Sequence, residues 1–396
     1  MLNEQYKNML NAKNVIRELS EYATARGKEI GYENVFDFSL GNPSLAVPDS
    51  FTKKMIELMQ TKDSLTLHGY TPTLGNALYK TKIAESLNRR YGMQYKPEHI
   101  FPATGAAGAV AHAVRAVSKP GDEIAVIAPF FSEYRPYIEG AGCSISIAEA
   151  DTERFQINFE ALDKVIGKQT AAVLINTPNN PSGTVYSEDT LKELASILER
   201  KSAEKGDTIF LISDEPYRDI RFDNIRVPYV SQYYPHTLSC YSFAKSMSIP
   251  GERIGYVAVH PACEGAEYIV PMCGQISRGL GHNCPPSIIM QAVAETCDDT
   301  SDLSVYETNM NIIYDTLKKN GFTCVRPGGT FYIFPKALEE DAVAFCKKAT
   351  KYDLILVPSD SFGVKGFFRM AYGVDTEKVK RAMPRLEQFV KETYGQ

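Results

Sequence analysis

The chain has 396 residues, 44% hydrophobic and 23% charged, the profile of a soluble globular protein too long for one ordinary core. A formal net charge of −5 argues against the concentrated basic face of a nucleic-acid binder, and no stretch reaches the roughly 20 apolar residues that span a bilayer. The eight cysteines form no Cys-x-x-Cys pair, which argues against structural metal and a disulfide framework and leaves reduced thiols in a cytoplasm as the expectation.

In chain order, Met1-Leu2-Asn3-Glu4-Gln5-Tyr6-Lys7 lacks the basic start and apolar run of a signal peptide. Helical spacing from about Asn11 to Arg26 puts Val15, Ile16, Leu19 and Tyr22 on one side. Val35 to Leu40 reads as a short strand, broken by Gly41-Asn42-Pro43. A helix is expected from near Ala109, preceded by the small residues Thr104-Gly105-Ala106-Ala107-Gly108. Short apolar runs follow at Glu123–Ile127, Ala172–Asn176, Thr208–Ile212, Leu238–Tyr241 and Ile254–Val259, with a charged helical segment from Ser187 to Lys201. Beyond residue 290 the pattern is mostly helical, with short strands near Thr330–Phe334 and Gly366–Met370.

Buried apolar strands separated by amphipathic helices imply an α/β fold: a large domain with a mainly parallel, mixed sheet flanked by helices, and a smaller α+β domain. The expected division is an N-terminal segment, residues 1–45, packing with the small domain, a large domain over 46–290, and a C-terminal small domain over 291–396. Ligands in such sheets bind at the carboxyl ends of the strands, so the residues following each strand share one rim.

Those residues are Ser213-Asp214-Glu215-Pro216-Tyr217, then Ser242-Phe243-Ala244-Lys245 with Arg253 eight positions on, and Pro178-Asn179-Asn180-Pro181-Ser182-Gly183. With Thr104 to Gly108 and Phe367-Phe368-Arg369-Met370, this set resembles the pyridoxal 5'-phosphate-dependent aminotransferases of fold type I, class I/II. The resemblance runs in order from Gly41 to Arg369. Each motif alone has an ordinary explanation: a solvated surface lysine, an aspartate capping a helix, an asparagine in a turn. Their order and spacing together do not.

The resemblance implies pyridoxal 5'-phosphate as cofactor, with Lys245 forming the Schiff base and moving the substrate α-proton. A solvated lysine has a pKa near 10.4 and is a poor nucleophile, so the site must lower that value, with Arg253 and burial as candidate causes. Asp214 would face the pyridine nitrogen and favour its protonated form. Tyr217 and Asn180 would donate to the phenolate oxygen, and Phe131 would stack on the ring with the face but not the polar handle of a tyrosine. The phosphate would rest on the amides of Gly105, Ala106 and Ala107 at a helix N-terminus, on Ser242 and on Arg253. Tyr70 would reach it from a neighbouring subunit, making the active unit a homodimer completed in trans. Arg369 would grip the substrate α-carboxylate as a bidentate fork, with Gly41 contributing its amide and Asn180 nearby.

Which amino acid is transferred is less legible. One branch of the family reads a distal carboxylate with a lysine in the phosphate loop; Gly108 stands there instead. Another branch uses a partner-subunit arginine shortly before an Asn and a Pro-Pro pair, and Arg278, before Asn283 and Pro285-Pro286, is the candidate, against an ordinary surface arginine. The expected reaction moves an amino group between an L-amino acid, aspartate and glutamate included, and a 2-oxo acid. The alternatives are C–S lysis or another elimination on the same scaffold, and a non-catalytic sensor, for which the chain has no DNA-binding module.

Overall fold

The computed structural model describes residue 2 and residues 4–11 and 15–395. Seven strands build the main sheet: β1 (Ile100–Ala103), β2 (Glu123–Ile127), β3 (Ser144–Ala148), β4 (Thr170–Asn176), β5 (Phe210–Asp214), β6 (Thr237–Ser242) and β7 (Gly255–Val259). Their order is β1-β7-β6-β5-β4-β2-β3. Strands β2 to β6 run parallel, whereas β7 is antiparallel to both its neighbours, β6 and β1. Two reversals cancel, so β1 again points with β4, β5 and β6.

Alternation along the strands sends successive side chains to opposite faces. Ala172 and Leu174 join a core with Ala109, Val110, Ala113 and Val114 of the helix Gly105–Val117 and with Ile269, Val270 and Cys273 of the helix Ala266–Gly279. Val173 and Ile175 join a second core with Leu191, Leu194 and Leu198 of the helix Glu188–Lys205. Both faces are thus covered, which is why these strands read as unbroken apolar runs. Ser187 caps the charged helix, its Oγ accepting from the Thr190 amide at 3.1 Å.

A third group of buried residues unites Phe36 and Phe38 with Tyr306, Leu317, Phe345, Leu386 and Phe389. It surrounds three antiparallel strands, β8 (Tyr332–Ile333), β9 (Val357–Pro358) and β10 (Phe368–Ala371), in the order β9-β10-β8. Phe36–Asp37 pairs in parallel with Leu354–Ile355, tying the N-terminal segment to the C-terminal part of the chain.

Several sequence expectations need correction. The helix expected near Ala109 begins at Gly105, so the small residues form its first turn. The strand expected over Val35–Leu40 is only Phe36–Asp37. The N-terminal helix runs on to Ile30, with Tyr22 exposed rather than buried beside Leu19, and its expected passage through positions 12–14 lies outside the described residues. Strands β1 and β3 were not anticipated. Among the described residues no helix is long and apolar enough to cross a membrane.

Candidate active site

The carboxyl ends of β4, β5 and β6 deliver Asn176, Asp214 and Ser242 to one rim. The end of β1 leads into the helix Gly105–Val117, and the reversal of β7 brings Arg253, just ahead of its first residue, to the same edge. Lys245 is the third residue after β6, in the short helix Phe243–Ser246, whose first turn is capped by Ser242 Oγ accepting from the Ala244 amide at 3.1 Å. A pocket on this rim is lined by Lys245, Asp214, Tyr217, Asn180, Phe131 and Ser242. Ala106, Ala107, Arg253, Gly41 and Arg369 complete its wall, drawn from the N-terminal segment, the main sheet and β10.

Asp214 is 5% exposed. Its Oδ2 accepts from the Tyr134 hydroxyl at 2.6 Å, and its Oδ1 is buried with no hydrogen-bond partner among the described residues. Burial pushes the carboxyl up to about 7, against the Tyr134 hydrogen bond, which pulls it down. The backbone is clipped in place by Asn176, whose Nδ2 donates to the Asp214 carbonyl at 2.8 Å while its Oδ1 accepts from the Asn180 amide at 2.6 Å. An unpaired carboxylate oxygen facing a pocket is an acceptor waiting for a donor.

Lys245 Nζ donates to the Gly41 carbonyl at 2.6 Å and stands 5.4 Å from the centre of the Phe331 ring. Burial first, then the charges of Arg253 and Arg369, lower its pKa to about 8. An appreciable fraction of the amine is therefore unprotonated near neutrality, which an attack on an aldehyde requires.

Gly105 adopts φ +76°, and a Cβ there would fall 2.9 Å from Arg253 Nη2, so glycine lets the guanidinium close over the start of the helix. Arg253 is fixed by donating to the carbonyls of Pro250 at 3.0 Å and Thr104 at 3.2 Å. Gly105 itself does not reach the pocket wall, whereas Ala106 and Ala107 do. Ser242 also donates to the Ile254 carbonyl at 3.3 Å.

Arg369 is 2% exposed. It donates to Asn180 Oδ1 at 3.0 Å and to the Ser39 carbonyl at 2.6 Å, and its buried Nε has no partner among the described residues. The rings of Tyr332 and Phe362 lie 4.6 and 5.0 Å from its guanidinium carbon. A buried cation with an idle donor, held by neutral acceptors rather than by a carboxylate, is built to receive an anion.

The pocket therefore fits the expected cofactor. Its wall holds a buried acceptor suited to a protonated ring nitrogen, an amine of lowered basicity, and a guanidinium beside the first turn of a helix suited to a phosphate. Tyr134, Asn176 and Tyr332 belong to this arrangement although their sequence context gave them no role; Tyr134 lies three residues after Phe131, and no motif marked the others. Ile16 of the N-terminal helix also lines the pocket. Besides Gly105, two expected residues are not brought there within one chain. Tyr70 is fully exposed, and Arg278 is exposed at the end of the helix Ala266–Gly279.

Comparison with known proteins gives a consistent picture. The family model for aminotransferase class I and II matches residues 33–386. An aspartate aminotransferase of Thermotoga maritima is 27% identical over 364 residues, covering 90% of this chain and 92% of its own length. A probable N-acetyl-LL-diaminopimelate aminotransferase of Bacillus subtilis is 25% identical, covering 97% and 96%. Among solved structures, an amino transferase from Eubacterium rectale is 42% identical, with a TM-score of 0.96 over 100% of this chain and 99% of that one.

Proposed function

The chain belongs to the class I and II aminotransferases, and from that premise we propose that the rim pocket is the active site, with Lys245 as cofactor anchor and proton carrier. The enzyme uses pyridoxal 5'-phosphate and moves an amino group between an amino acid and a 2-oxo acid. When bound, that cofactor supplies an aldehyde for an amine and a ring that withdraws electron density from the substrate Cα.

In our reading the chain's own groups divide the work as follows. Asp214 offers its unpaired Oδ1 to the ring nitrogen and holds a proton there. Tyr217 and Asn180 donate to the phenolate oxygen, and Phe131 packs on the ring face. Ala106 and Ala107 present amides to the phosphate, with Gly105 giving Arg253 the room to reach it and Ser242 adding a hydroxyl. Arg369 orients the substrate by its α-carboxylate, beside Gly41. Lys245 Nζ would take the proton from the substrate Cα and carry it as the ammonium, a general-base role that its lowered basicity favours. The single observation that carries this reading is the buried, unpaired Oδ1 of Asp214 in the same pocket as the Lys245 amine.

Fully exposed Tyr70 supports a homodimer in which that side chain completes the partner's site, and Arg278 is the matching candidate for a distal carboxylate. The aspartate aminotransferases among the relatives support aspartate or glutamate as donors. We further propose the division into segment 1–45, large domain 46–290 and small domain 291–396, supported by the pairing of Phe36–Asp37 with Leu354–Ile355. A cytoplasmic location is supported by eight free cysteines.

A panel of amino acids mixed with cofactor-loaded protein tests the reading through the visible spectrum. Donors convert the chromophore without an added oxo acid, and Lys245→Ala abolishes turnover; full activity in that variant overturns the assignment. In the same panel Arg278→Leu selectively loses aspartate and glutamate, and equal turnover of both removes Arg278 from the site.

A further inference from the structure

We infer that Tyr332 is a positioning residue for the transfer reaction, its hydroxyl holding that of Tyr217 and setting how strongly Tyr217 donates to the cofactor. The inference rests on the reading above, in which Tyr217 meets the phenolate oxygen.

The two phenols are 5% and 3% exposed, both line the pocket, and Tyr217 donates to the Tyr332 oxygen at 3.2 Å. Their rings meet edge to face, with centroids 5.6 Å apart at 85°. Tyr332 has little freedom to leave this position. Its amide donates to Thr330 Oγ1 at 3.0 Å, and its ring lies against the Arg369 guanidinium. Gly41 is the residue that makes room, since a Cβ there would fall 1.7 Å from the Tyr332 oxygen. Thr330 takes φ +67°, a conformation β-branched residues rarely adopt, and is held by donating its amide to the Ile220 carbonyl at 3.1 Å. The chain thus accepts an unfavourable backbone two residues before the one that presents this hydroxyl to the pocket.

A phenol has one hydrogen and two acceptor positions. Tyr217 cannot give its single hydrogen to Tyr332 and to the cofactor at once. With the cofactor bound, that hydrogen turns to the phenolate oxygen, and the hydrogen of Tyr332 is then free to turn to the Tyr217 oxygen, reversing the bond between the two phenols. In such a chain each bond polarises the next, so Tyr217 becomes a stronger donor than it is alone. The ionisable groups acting on the pair are Arg369, Asp214 and Tyr306, and Lys245 lines the same pocket.

Tyr332→Phe keeps the ring and its contact with Arg369 and removes only the hydroxyl, so a purely structural role predicts no spectral change. The measurement is the visible absorbance of the cofactor-loaded enzyme titrated against pH. The midpoint is expected to rise by about half a pH unit in Tyr332→Phe, roughly a threefold change in proton affinity. It rises further in Tyr217→Phe, and the double variant matches Tyr217→Phe alone, because Tyr332 acts through Tyr217. An unmoved midpoint in Tyr332→Phe beside a moved one in Tyr217→Phe overturns the proposal alone, as does full additivity in the double variant. An unmoved midpoint in Tyr217→Phe overturns the underlying reading as well.

Discussion

At Asp214, burial and function pull in opposite directions. Without a cation opposite, the buried carboxyl is pushed up to about 7 from an ordinary 3.8. Below the ordinary value the folded and unfolded chains both hold this proton; between there and about 7 only the folded chain does. The contribution of this group to the stability of the cofactor-free protein is therefore complete in acid and lost as pH rises toward 7. Asp214→Asn, which cannot ionise, is expected to flatten the thermal-midpoint profile across that window. At pH 7 it makes the cofactor-free protein more stable, on the order of a few kcal/mol, while impairing transamination. Equal slopes in parent and variant would mean that Asp214 is already ionised in the empty site. Lys245, Asp214, Asn180 and Arg369 could be named from the sequence because the motifs around them resemble those of a known family, and all four line one pocket. Tyr134, which donates to Asp214, and Asn176, which clips its backbone, are one contact further out, where the fold and not the local sequence decides who is neighbour to whom.

Among the elements, legibility follows position in the sheet. The interior strand β4 is buried along its whole length and announced itself as an apolar run. The two strands missed in the main sheet, β1 and β3, are its two edges. Strand β1 carries Pro102, tolerated at an edge, and β3 alternates serine with isoleucine and leaves Ser144 exposed, so neither resembles a buried run. The direction of β7 has no local signature either. Behind β5 lies a charged pair that no periodicity reveals: Arg218 donates to Glu215 Oε2 at 2.7 Å, with side chains 3% and 2% exposed. Arg218 also donates to the Tyr256 hydroxyl at 2.7 Å and stands 4.3 Å from the centre of the Tyr241 ring. Arg218→Leu would leave Glu215 buried and unpaired, a loss of about 3–5 kcal/mol, read as a lower denaturant midpoint. Glu215→Gln added to Arg218→Leu is expected to recover part of that loss. If the double variant is no better than Arg218→Leu, uncompensated charge is not the cause.

At the scale of the molecule, the pocket draws Gly41 from the N-terminal segment, Asp214 and Lys245 from the main sheet, and Tyr332 and Arg369 from the strands of the C-terminal core. Each of these can be assigned within one chain. Tyr70 cannot, since its side chain is fully exposed and outside that pocket. If it serves the partner's phosphate, two defective chains can repair one another. In a hybrid of a Lys245→Ala chain with a Tyr70→Ala chain, one site has neither residue and the other has both. Such a hybrid, isolated with two different affinity tags, should regain about half the parental turnover, because one of two symmetric sites is whole. Were Tyr70 to act in its own chain, the site that keeps Lys245 would still lack the tyrosine, and the hybrid would be as inactive as its parents.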